Sequence, residues 1–261
     1  VDFLDPALVA PVALAVFVGL PLFVYIGVPL LILAMQRFNA RPKFHRLRLD
    51  AIDRPVAEFL ADRAQALLAL GFDDPVHLRT TDISPGVTAY LIMLVHPATA
   101  DKAMVTVLIG GGAPPIQTWY VEFSTRFADG KVFNTLNSAE LNAFPPMPDS
   151  VRTQVPSVTD PEELYELHRA VIDRHAPEGR ATTYEPGGEV EFLYQYAFRR
   201  LYEEQVRRGV FRPDGADAYR LTVGGAYRLT WGLMPPFKQL RAAGMRREGR
   251  RVQAEFRARQ G

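Results

Sequence analysis

The chain reads as an α+β protein: a single membrane-length helix at the N-terminal side, then a soluble body with an antiparallel meander sheet and several helices. Three observations predict this. Pro6 to Met35 contains no charged side chain. Runs of strand-forming residues separated by turn residues recur between Val76 and Asn137. Beyond Asp160 the apolar residues fall at helical spacing.

Residues 1–36 are read as a transmembrane anchor. A bilayer core about 30 Å thick needs roughly 20 apolar residues as a helix. The run Pro6–Met35 would reach about 45 Å as a straight helix. A cleavable secretory signal has a basic start and an apolar core of only about 7–15 residues. Here Asp2 and Asp5 precede the run, and Arg37, Arg41, Lys43, Arg46 and Arg48 follow it. By the positive-inside rule this places the N-terminus outside and the body in the cytoplasm, at the cell inner membrane.

The anchor carries features beyond its hydrophobicity. Pro21 and Pro29 each remove a helical hydrogen bond and free the carbonyls of Phe17 and Tyr25. In lipid such groups call for a partner. Tyr25 adds a hydroxyl inside the run, and Ala15 with Gly19 forms a small-residue pair that permits close helix approach. Ala15, Gly19 and Tyr25 are therefore the expected helix-packing positions. The run holds no histidine to ligate a haem iron or a chlorophyll magnesium.

Residues 37–53 read as a basic juxtamembrane connector, in which Pro42 disfavours a continuous helix. Residues 54–143 read as a helix followed by the meander. Pro55 suits a first helical turn with Asp53 as its cap, and Val56, Phe59, Leu60, Ala64, Leu67 and Leu68 recur on one face before Gly71. Strands are predicted over Val76–Thr80, Val87–Val95, Lys102–Ile109, Ile116–Phe127 and Lys131–Asn137. Asp129-Gly130 between the last two is a hairpin signal, and the run from Gly110 to Pro115 suits a longer connection. Residues 144–161, with Pro145, Pro146, Pro148, Pro156 and Pro161, read as a linker.

Residues 162–261 read as mostly helical with a basic terminal helix. Asp160-Pro161-Glu162-Glu163 suits a helix start, with acids at the positive end of the helix dipole, and that helix is expected to run to His175. A second spans Glu189–Arg208 with Phe192, Leu193, Tyr196, Leu201 and Tyr202 on a broad apolar face. A turn at Pro213-Asp214-Gly215, a short strand Tyr219–Thr222 and a helical region from Val223, interrupted at Pro235-Pro236, complete the chain.

Composition limits the chemistry. The formal net charge is +1, which gives no global attraction to nucleic acid. With no cysteine there are no disulfides, thiolate nucleophiles or zinc–cysteine sites. No phosphate loop, H-E-x-x-H zinc pair or G-x-S-x-G nucleophile elbow occurs. No catalytic residue, cofactor or metal is therefore assigned. Two polar constellations stand out. One is His168 and His175 with Glu162, Glu166 and Asp173 on a predicted helix, which an ordinary partly exposed helix explains equally well. The other is Glu122, Ser124 and Arg126 with Asn134 and Asn137 across the hairpin, either a solvated sheet face or a polar binding face.

The C-terminal segment Lys238–Arg259 carries eight basic residues, among them Arg246, Arg247, Arg250 and Arg251, against Glu248 and Glu255. Phe237, Leu240, Met245, Val252 and Phe256 share one side of the wheel. A basic amphipathic helix suits an anionic membrane surface or a partner subunit ahead of nucleic acid. Arg37, Arg41, Lys43, Arg46 and Arg48 are assigned to the same kind of contact. The leading expectation is a non-catalytic accessory or scaffold subunit of a larger membrane complex, of the energy-transducing, photosynthetic or respiratory kind. Its expected partners are other membrane-protein subunits and anionic lipid head groups. A membrane-tethered ligand-binding or sensory module is the alternative, and an enzyme of unfamiliar type, centred on His168, Glu166 and the hairpin polar residues, ranks third.

Overall fold

The computed structural model describes residues 15–83, 86–111, 117–175, 177 and 179–260. The residues before Ala15 and most of the connection after Gly110 lie outside this set. Helix α1 (Val16–Met35) is the apolar helix, long enough to cross a bilayer. It stays helical through both prolines, with π-helical turns at Ala15–Gly19 and Phe23–Gly27 just ahead of Pro21 and Pro29. A proline nitrogen cannot donate to the carbonyl four residues back, and widening the preceding turn accommodates the lost bond.

The body is built on a sheet in the order β2-β3-β4-β5-β6-β7-β8, comprising β2 (His45–Arg46), β3 (Asp73–Thr80), β4 (Val87–Val95), β5 (Lys102–Gly110), β6 (Gln117–Phe127), β7 (Val132–Leu136) and β8 (Ser150–Gln154). Neighbours are antiparallel except β7 and β8, which are parallel. A short strand β9 (Ala181–Thr182) pairs with the end of β6. The β6–β7 hairpin turns at Asp129-Gly130, where Gly130 adopts φ +91° and Asp129 Oδ1 accepts from the Lys131 amide at 2.9 Å. A positive φ of this size is costly for any residue with a Cβ.

The inner sheet face packs against three helices: α2 (Arg54–Ala69), α3 (Pro161–His175) and α6 (Phe237–Gln260). Ile92, Leu94, Val105, Val107, Val121, Phe123 and Phe133 meet Leu60, Leu67, Leu164, Leu167, Val252 and Phe256 there. The outer face is covered by α4 (residues 189–207), whose central part Leu193–Arg199 is π-helical. A second, three-stranded sheet pairs β1 (Arg37–Asn39) with β11 (Ala218–Leu221), and β11 with β10 (Phe211–Pro213). Helix α5 (Val223–Trp231) follows, its first turn capped by Thr222 Oγ1 accepting from the Gly225 amide at 2.9 Å. Ile32 and Leu33 of α1 pack onto the aromatic cluster of this small sheet.

Four details depart from the sequence reading. The proline-rich stretch 144–161 contributes strand β8: between Pro148 and Pro156 enough non-proline residues remain to pair in parallel with β7. The connector 37–53 is woven into both sheets through β1 and β2. Asp53 precedes α2, but its side chain makes no capping bond. The later half of α6 is docked on the body rather than laid out as a free amphipathic helix. Gly249 sits so close to β8 that a Cβ there would come within 2.5 Å of the Gln154 carbonyl oxygen. Arg257 and Gln253 donate to Glu163, and Arg174 pairs with Glu255.

Candidate functional site

Side chains alternate across a strand, so Lys102, Met104, Glu122, Ser124, Arg126, Val132 and Asn134 all emerge on the outer sheet face. Helix α4 crosses that face, but it fills only part of the space. Leu193 packs with Leu78, Leu91 and Met93 in a small apolar cluster toward β3 and β4. Toward β6–β8 a cavity of about 290 Å³ remains between the sheet and the helix. Segment 142–149, with Pro145, Pro146 and Met147, forms its side wall. Phe192, Tyr196, Ala197, Arg200 and Leu201 form its roof.

The cavity is amphipathic. Its apolar part comes from Met93, Met104, Val132, Met147, Phe192, Leu193 and Leu201. Its charged part holds four cations, Lys102, Arg126, Arg152 and Arg200, against two acids, Glu122 and Asp149. Arg200 is tied to Asp149 in an ion pair. The Arg126 guanidinium lies 4.1 Å from the centroid of the Tyr196 ring, a cation–π stack that orients it between sheet and helix. Ser124 and Asn134 are directly opposed across the β6–β7 ladder, and Asn134 Nδ2 donates to Ser150 Oγ at 3.4 Å.

Burial perturbs the titratable groups here. Lys102 is 4% exposed. Its Nζ donates to the carbonyls of Thr182 at 2.9 Å and Ala100 at 3.2 Å, and it faces the Phe192 ring. Burial pulls its pKa down to about 8; neighbouring Asp101 works against the shift and Arg126 adds to it. Glu122 is pushed up by burial, with Arg152 opposing. On the same face Tyr120 is pushed up to about 12, by burial and then by Glu122. Charged groups in a partly dehydrated cleft attract a complementary charge more strongly than they would in water.

Of the hairpin residues singled out in the sequence, Glu122, Ser124, Arg126 and Asn134 line this cavity. Asn137 does not. Its side chain is a clip, accepting from the Val121 amide at 2.8 Å and donating to the Val158 carbonyl at 3.0 Å. Lys102, Asp149, Arg152 and Arg200 join the site although sequence reasoning passed over them. A lysine opening an otherwise apolar strand was the available signal for Lys102. Arg152 is hidden because the prolines around β8 mark residues 144–161 as a linker.

The second constellation is closed. His168 is fully buried under the inner face, between Thr125 Oγ1 at 2.8 Å and Thr135 Oγ1 at 3.0 Å. Thr125 also donates to Asp101, as do Tyr165 at 2.8 Å and Arg169 at 3.2 Å. Burial lowers the His168 pKa to about 4, against the opposing charge of Asp101. Burial raises the Asp101 carboxyl, but its hydrogen bonds and the His168 charge outweigh that and hold it below the ordinary carboxylate value. His175 Nδ1 lies 2.8 Å from the Val171 carbonyl oxygen, within its own helix, and Glu162 and Asp173 are exposed. Among the described residues no group of three or more such side chains is placed to hold a metal ion.

The remaining singled-out residues fall into two groups. Tyr25 is engaged within its own chain: its hydroxyl donates to the Pro235 carbonyl, and its carbonyl, freed by Pro29, accepts from Trp231 Nε1 at 2.8 Å. Among the described residues nothing lies within 4 Å of a Cβ built on Gly19, and the Ala15 side chain lies outside them. Arg37 pairs with Asp214, Arg41 with Glu191, Arg46 with Glu189 and Arg48 with Asp50. The Lys43 amide donates to Asp82. Arg251 is held by Glu248 and Glu255, while Arg246, Arg247 and Arg250 are exposed. No protein-family profile, no curated protein and no solved structure matches this chain.

Proposed function

We propose that the chain is a membrane-tethered binding module whose cavity takes a small amphiphilic anion, a carboxylate or phosphate attached to an apolar body. The observation that carries this reading is the outer-face cavity, where cations outnumber acids and one wall is apolar. Pockets for small molecules combine a mostly apolar lining with a few placed polar groups, and the alternating polar residues of β6 and β7 supply those groups. Helix α1 supports the tether. From Val16 to Phe23 it is exposed on every side, which suits lipid and not water. The basic residues that follow it support a cytoplasmic body at the cell inner membrane.

The test uses the full chain in lipid nanodiscs, with phenylbutyrate as the anion and phenylbutanol as its neutral counterpart. Phenylbutyrate should raise the melting temperature and phenylbutanol should not. A ligand at about a hundredfold its Kd stabilises by about 2.7 kcal/mol. Equal shifts from both compounds, or none from either, would remove the reading.

The accessory-subunit role is the second reading, and the bare surface around Gly19 favours it, because a helix of another chain fits closely against such a position. Tyr25 no longer supports it, since its hydroxyl and carbonyl are both satisfied within the chain. In mild detergent this role requires co-migration with other membrane proteins on a native gel, and an isolated monomer would count against it.

A further inference from the structure

The segment from Trp231 to Leu240 joins α5 to α6 through Pro235-Pro236, and two hydrogen bonds hold it against the side of α1. Trp231 Nε1 donates to the Tyr25 carbonyl, and the Tyr25 hydroxyl donates to the Pro235 carbonyl. Tyr25 is ten residues from Met35, so the contact lies about 15 Å along α1 from its body-side end. Along this segment Trp231, Leu233, Phe237 and Leu240 are exposed, Leu240 to 67%. Phe23 and Ile26, on either side of Tyr25 in α1, are exposed as well.

We infer that this segment is embedded in the headgroup-to-acyl boundary of the bilayer that α1 crosses, making it a second membrane contact of the body. The inference rests on the reading of α1 as a membrane anchor. Its first support is length. The uncharged run Pro6–Met35 is roughly ten residues longer than a bilayer core requires. The excess corresponds to the part of α1 where protein covers one side: Val24, Tyr25, Gly27, Val28, Pro29, Ile32 and Leu33 are all shielded, whereas no described residue shields Val16–Phe23. The bilayer boundary then falls near Tyr25 and Trp231. Tyrosine and tryptophan favour that level because their rings are apolar and their tips polar. The second support is charge. Exposed Lys238, the second residue of α6, has a stem long enough to run along apolar surface and place its ammonium among lipid phosphates. Water would instead meet four bulky apolar side chains beside an apolar helix, at a cost that scales with the exposed area.

Trp231 is one of two tryptophans in the chain, the other being Trp119 against Phe59, so it can serve as the reporter. The full-length Trp119→Phe variant is reconstituted into phosphatidylcholine–phosphatidylglycerol vesicles, and flotation verifies its association. Trp231 emission should be strongly quenched by lipids brominated near the headgroup end of the acyl chain. It should be quenched less by lipids brominated near the chain terminus, and little by aqueous acrylamide. The Trp231→Phe variant, which keeps Trp119, should lose the lipid quenching even where Trp119→Phe folds poorly. A floating chain whose Trp231 is open to acrylamide and untouched by brominated lipid overturns the inference and leaves the anchor standing. Strongest quenching at the chain terminus overturns the boundary placement. A chain that does not float removes the anchor reading and this inference with it.

Discussion

The two faces of the main sheet are built from the same strands and solve opposite problems. On the inner face the polar cluster around Asp101 is absorbed. His168 lies between two threonines, Asp101 receives bonds from Thr125, Tyr165 and Arg169, and the surrounding surface is Phe123, Phe133 and the aliphatic faces of α2 and α3. On the outer face α4 leaves a gap, and Arg126, Arg152, Glu122 and Asn134 project into it. The difference is instructive because strand alternation delivers both. Thr125 and Arg126 are chain neighbours, one locked in the core and the other at the cavity. A histidine and an acid in a suggestive pair therefore mark stability here, while less conspicuous residues one position away carry the candidate function.

The largest effect expected from breaking this contrast is on the inner face. Phe123→Ala, at a fully buried position, should cost about 3–5 kcal/mol in denaturant unfolding. A cost below about 1 kcal/mol would show that the inner face is not the sealed side.

Acid should act next. An unfolded chain protonates His168 as pH falls through about 6.5, whereas the folded chain resists until about 4. Stability from the neutral imidazole is thus present above pH 6.5 and is lost between about 6.5 and 4, by about 3 kcal/mol. Asp101, held below its ordinary value, loses its contribution in the same direction at lower pH. Replacing His168 with Gln should flatten the upper part of this dependence; an unchanged profile would assign the acid sensitivity elsewhere.

The smallest effect on stability, and the most diagnostic, belongs to the cavity. Arg126→Gln should change unfolding by less than about 1 kcal/mol, because its partner is the ring of Tyr196 and not a buried acid. It should nonetheless remove most of the stabilisation by phenylbutyrate. If stability collapses while the anion response survives, the assignments of the two faces are reversed.

Much of this architecture is legible in the chain because its signals are local. The strands Val87–Val95 and Lys102–Gly110 follow runs of β-branched and aliphatic residues, and Asp129-Gly130 places the hairpin. The alternation of Glu122, Ser124 and Arg126 marks one wall of the cavity. The other walls are not local. Prolines on both sides conceal β8, which brings Arg152, and no spacing in the sequence shows that α4 lies over the sheet without filling it. The same limit applies to α1. Pro29 announces a carbonyl in need of a donor, yet the donor, Trp231, is 206 residues away and only the fold brings it there.

The central claim is that the outer face opens to an anionic ligand while the inner face stays closed. Amide hydrogen exchange on the full chain in nanodiscs, with and without phenylbutyrate, tests it most directly. The account predicts slower exchange in α4 and in segment 142–149 when the anion is present, with α3 unchanged. Exchange that is the same in both conditions, or protection that appears in α3 instead, would contradict it.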